Sequence, residues 1–165
     1  GYAIGDRWLR KIARVCEDAW IDGIYDARGG PLGEGACPAP AIYWGWYQLF
    51  DYRGEIFDHR FPDGAIACHI ASFEAARLWK GQTDKQGGPW VAGFLKDGVT
   101  VAIGPVSEPY LTAFTRPAPF LQRLFRGEPV AQAYWAATPH VSWRMILIGD
   151  PLYRPFPEGR ASDAP

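Results

Sequence analysis

Methionine occurs once, at Met145, and the chain opens on glycine, so the expected origin is a processed or excised piece of a longer precursor. Cysteine occurs only at Cys16, Cys37 and Cys68. Three cysteines cannot build a disulfide framework, and none are paired in the CxxC spacing of a zinc site. Two readings stay open: a single Cys16–Cys37 bridge in an exported chain, or small buried hydrophobes. Charge of one sign is lacking too. Seventeen Lys+Arg against 18 Asp+Glu leave a formal net charge of -1, and no local basic run would gather phosphates. That argues against a nucleic-acid partner. The longest apolar runs, 99–103 and 145–148, fall far short of the roughly 20 residues needed to cross a bilayer, so no transmembrane segment is expected. No GxGxxG or P-loop occurs, which leaves a nucleotide cofactor unsupported, and no cofactor of any kind is expected. His59, His69 and His140 share no metal-ligand spacing, so no metal is expected either.

What is present is apolar and aromatic. At 48% hydrophobic and 15% aromatic, 165 residues can fill the core of one domain. Nineteen glycines and 15 prolines imply long ordered loops between short elements, and eight tryptophans are available to pin them.

The spacing of Trp8, Leu9, Ile12, Val15, Cys16 and Ala19 predicts an amphipathic helix over 6–20, with Asp6 as N-cap. A short strand is expected at 23–26, then turns over 27–40, a strand at 41–44 and a long loop over 45–64. The run 65–70 is continuously apolar, as in a strand buried on both faces. Ser72 fits the N-cap of a helix over 73–80. A glycine-rich loop follows at 81–88, then a helix over 90–97 with Pro89 in its first turn. The β-branched run 99–103 is the clearest strand. Helices near 119–126 and 130–137 precede a last strand at 144–148. Residues 1–156 are expected to form one domain and 157–165 a tail. Strands separated by helices predict an α/β fold, a three-layer sandwich with a mostly parallel central sheet. Ligands of such sheets sit beyond the carboxyl ends of the strands.

Those ends carry a recognisable series. Tyr43-Trp44-Gly45-Trp46-Tyr47, then 64–69 with Ser72-Phe73, then Glu108-Pro109-Tyr110, then Ser142-Trp143 with 149–155 together resemble the caspase-like, gingipain-type fold of cysteine peptidases. More closely, they resemble a poorly characterised family of exported bacterial proteins related to them. The resemblance spans roughly residues 40 to 156. It implies a caspase-like domain in an exported, periplasmic or extracellular setting. In the peptidases the first motif reads Tyr-x-Gly-His-Gly, with the histidine as general base for a cysteine placed after the next strand. Trp46 stands at that histidine's position and has no basic nitrogen. Cys68 falls inside the expected strand, with no cysteine beyond it, so the peptidase dyad does not carry over.

The remaining candidates come from the strand ends. His69 could act as a base toward Ser72 or a water, with Glu108 as the orienting carboxylate; equally, His69 could be a core histidine, Ser72 a cap and Glu108 a solvated loop residue. Asp150, in Gly-Asp-Pro, reads as a turn residue. The aromatic cluster of Tyr43, Trp44, Trp46, Tyr47, Phe50 and Tyr52 could cover the core or offer a stacking surface. Trp44, Trp46, Tyr47 and Tyr110 are the candidate binding residues. Two functions follow: a non-catalytic binding or scaffold domain, partnered by another protein or by the missing part of its own precursor, or a hydrolase with a rearranged site.

Overall fold

A computed structural model describes residues 3–30, 32–46, 51–76, 78 and 88–159. The fold is α/β, built on an open sheet of four strands, β1 (Ile42–Trp46), β2 (Ile66–Ile70), β3 (Val101–Pro105) and β4 (Met145–Ile148), in that spatial order. The first three run parallel and β4 pairs antiparallel with β3, so the sheet is mostly parallel, and all four expected strands are neighbours. β2 and β3 are buried along their whole length, as their unbroken apolar sequences require.

The described residues divide into two compact units. One takes them from Gly1–Arg28, Thr115–Val141 and Asp150–Pro165; the other from Gly29–Phe114 and Ser142–Gly149. The first is helical. In it, α1 (Ala3–Asp18) and α4 (Val130–Ala137) each pack on α3 (Pro117–Phe125). Helix α3 begins at Pro117, whose fixed φ suits a first helical turn.

The second unit holds the sheet, with α2 (Trp90–Lys96) packed on β2 and β3. Its core gathers Tyr52, Ile56, Phe57, Phe61, Trp90 and Phe94 about the small strand residues Ala67 and Ala102. Gly93 exists for this packing, because a Cβ there would stand 2.1 Å from the Tyr52 ring.

Several expectations are corrected. Helix α1 starts at Ala3, so Asp6 lies within its first turn, where a carboxylate still suits the helix dipole, but is not its cap. Residues 23–26 form no strand and follow an irregular path from 21 to 28. The loop 45–64 contains a 3-10 turn, Gly54–Phe57, whose Ile56 and Phe57 anchor it in the core. Pro89 is the residue before α2 rather than part of its first turn. Residues 72–76 make turns where a helix over 73–80 was expected, and 77, 79 and 80 lie outside the described residues, as do 81–87 of the glycine-rich loop, Tyr47, Phe50 and 160–165 of the tail. All three cysteines are free.

Candidate functional site at the carboxyl rim of the sheet

Parallel β2 and β3 end side by side, and the loops that leave them are stitched together. Phe73 N–H donates to Ser107 O at 3.3 Å and Ala75 N–H to Pro105 O at 2.9 Å. This stitching sets Ser72 beside Glu108. The Ser72 hydroxyl donates to Glu108 Oε2, while Glu108 Oε1 accepts from Tyr110 N–H at 2.9 Å. Both carboxylate oxygens therefore have a donor. The Ser72 hydroxyl serves this bond across the sheet rather than a helix cap. Phe73 and Tyr110, at φ 64° and 55°, are non-glycine residues in the left-handed region, and their rings are exposed. Strained positions of this kind persist where surrounding bonds over-determine them, as the Ser107 and Glu108 contacts do here.

Arg144 completes the rim. Its guanidinium lies 4.7 Å from the centroid of the exposed Trp143 ring and donates to Glu108 O, and its backbone carbonyl accepts from Val106 N–H at 2.9 Å. Sequence reasoning passed over Arg144, although it directly follows the Ser142-Trp143 motif.

His69 sits elsewhere. It lies within β2, is 2% exposed, and its ring lies on that of Trp90 with centroids 3.8 Å apart and planes 1° from parallel. Desolvation holds its pKa well below that of an ordinary histidine. Among the described residues no hydrogen bond links it to Ser72 or Glu108, so the structure brings together two of the three candidates and encloses the third. Room for His69 comes from Gly45 across the strand pair, where a Cβ would stand 2.4 Å from His69 Nδ1 and 2.3 Å from the Tyr43 hydroxyl.

Cys68 is fully buried, and the same desolvation pushes its thiol up, away from the thiolate that a nucleophile needs. Trp44 pairs in register with Cys68, and Trp46 closes β1 opposite Ile70; both are half-buried. Tyr110 is 70% exposed on the rim itself.

A second functional-looking residue that sequence reasoning missed is Glu74. It is 0% exposed, and its Oε2 accepts the Trp90 N–H at 2.6 Å, satisfying a first-turn amide of α2. A carboxylate four residues after a buried strand end was the available signal, but its partner lies sixteen positions on. At the opposite end of α2, Asp97 accepts from the Tyr52 hydroxyl at 2.7 Å and lies 3.6 Å from His59 Nδ1. Among the described residues no three His, Cys, Asp or Glu side chains group as metal ligands would.

Asp150 behaves as a turn residue, its Oδ1 accepting from Leu152 N–H at 2.9 Å. The turn fastens the end of the motif to α4, because Pro151 and Tyr153 carbonyls accept from Ala131 and Val130 N–H at 3.3 and 2.9 Å. These are orphan amides of the helix start, so this stretch of the motif has a structural job. No protein-family profile, no curated protein and no solved structure matches this chain, and the motifs quoted above carry the caspase-like resemblance alone.

Proposed function

We propose that this chain is a non-catalytic, caspase-like domain of three-layer type. In this reading it serves as a binding or scaffold subunit of a larger exported bacterial protein or assembly, with the rim of Phe73, Tyr110 and Trp143 as its contact surface. One observation carries the reading: the His69 ring is sealed against Trp90 and leaves the rim serine without an imidazole. A serine hydroxyl is a weak nucleophile unless a positioned base takes its proton. Trp46 at the base position of the related peptidases and the sealed Cys68 point the same way. The exposed aromatics of the rim give a partner apolar area beside a fixed polar pair, which is how binding surfaces are commonly composed.

A hydrolase reading keeps one specific support, the Ser72 hydroxyl donating to the Glu108 carboxylate. The test is labelling of the folded chain with a fluorophosphonate and with a thiol-directed peptide acyloxymethyl ketone, on wild type and Ser72→Ala. The scaffold reading expects no stoichiometric labelling by either. Fluorophosphonate labelling that disappears in Ser72→Ala would overturn it in favour of the hydrolase.

A further inference from the structure

In linear sequence the cations of the first segment alternate with apolar residues and form no run. Wound into α1, they form a stripe. Arg7, Arg10, Lys11 and Arg14 stand at i, i+3, i+4 and i+7, which places them on one helix face, and all four are exposed. The other face carries the buried Val15 and Cys16 and the half-buried Trp8, Leu9 and Ile12. Among the described residues none of the four cations forms an ion pair, whereas Arg28, Arg53 and Arg123 each hold a carboxylate. The acidic groups of the helix stand at its ends. Asp6 lies in the first turn, and Glu17 and Asp18 in the last, so the middle two turns are uniformly positive.

The irregular segment that follows turns back along this face. Arg10 Nε donates to the Tyr25 hydroxyl at 3.3 Å, which brings Tyr25 beside the stripe. There the chain exposes Trp20 at 83%, Ile24 at 82% and Tyr25 at 39%. The segment adds Asp22, which is exposed, and Asp26, which is neutralised by Arg28 at 2.7 Å. A surface that joins four cations without an ion-pair partner among the described residues to exposed indole and aliphatic side chains matches a partner that is anionic at one depth and apolar at the next. An anionic lipid surface has both properties. A nucleic acid would satisfy the cations but offer nothing to Ile24.

We propose that α1 and residues 20–25 form a peripheral binding surface for anionic membranes, with the stripe on the lipid headgroups and Trp20 and Ile24 entering the interface. The proposal is independent of the rim and its function. The test is co-sedimentation of the full chain with phosphatidylcholine vesicles and with phosphatidylcholine–phosphatidylserine vesicles, on wild type, Arg7→Gln/Lys11→Gln and Ile24→Ser, with circular dichroism confirming that each variant is folded. The expected result is binding to the mixed vesicles alone, weakened by salt, reduced about tenfold or more by the double charge variant and also reduced by Ile24→Ser. Equal binding to both vesicle types, no loss in the charge variant, or binding to duplex DNA without binding to the mixed vesicles would each overturn the proposal. Salt titration of the wild type decides the electrostatic part without any variant.

Discussion

The imidazole of His69 lies flat on the indole of Trp90, centroids 3.8 Å apart and planes 1° from parallel. Trp90 is held in turn by Glu74, which takes its backbone N–H at 2.6 Å, so a residue just past β2 fixes the helix that seals a residue inside β2. The stack makes His69 part of the core, and its consequences are those of a buried neutral base.

The first consequence is a pH dependence of stability. His69 has a folded-state pKa well below its unfolded value near 6.5, so below that pH the unfolded chain binds the extra proton. Its contribution to stability is therefore complete above about pH 6.5 and is lost as the pH falls, by at most about 1.4 kcal/mol per pH unit. Denaturant midpoints measured between neutral and mildly acidic pH should fall more steeply in wild type than in His69→Phe. Parallel curves would show that His69 is not buried neutral.

Glu74→Ala should cost about 2 kcal/mol or more, because it removes the acceptor of a buried N–H at the start of α2. Glu74→Gln keeps an acceptor and should cost less. The check is urea unfolding of both variants followed by tryptophan fluorescence; equal losses would mean that charge, rather than the bond, is what Trp90 needs.

Ser72 and Glu108 should be energetically coupled although thirty-six positions apart. A double-mutant cycle with Ser72→Ala and Glu108→Gln should return an interaction of about 1–3 kcal/mol, the range of a hydrogen bond to a charged group. Strict additivity would mean that the two loops are held only by their backbone bonds.

Cys68 should react with a thiol reagent only on global unfolding, at a rate that tracks the unfolding equilibrium. The half-buried Cys37 should react first in the folded chain. Mass spectrometry of a time course distinguishes the two sites, and early modification of Cys68 would contradict its burial.

The sheet was legible because burial leaves a local trace. The apolar run at 65–70 holds β2, and the β-branched run at 99–103 holds the first three residues of β3, which continues to Pro105; these two strands are buried along their length and lie at the middle of the sheet. The amphipathic pattern around Trp8 and Ile12 likewise marked α1, missing its start because a capping residue type stands just as well inside the first turn, as Asp6 does. The predicted strand at 23–26 failed for a related reason. Ile24 and Tyr25 have strand-forming side chains, but a strand also needs a partner edge, and propensity alone does not supply one.

The site divides along the same line. That Ser72 and Glu108 stand at strand ends followed from local pattern; that they bond followed only from β2 and β3 being adjacent and parallel, with their exit loops stitched by Phe73 and Ala75. The enclosure of His69 needed Trp90 from a later helix, the empty face of Gly45 from a neighbouring strand, and Glu74 to hold the helix in place. The sequence by itself determined which segments are buried and which residue types reach the rim, because hydrophobic periodicity records the environment of a residue's own element. Tertiary structure alone decided which polar groups meet and which imidazole is sealed, because those contacts join residues whose separation along the chain carries no signal of their separation in space.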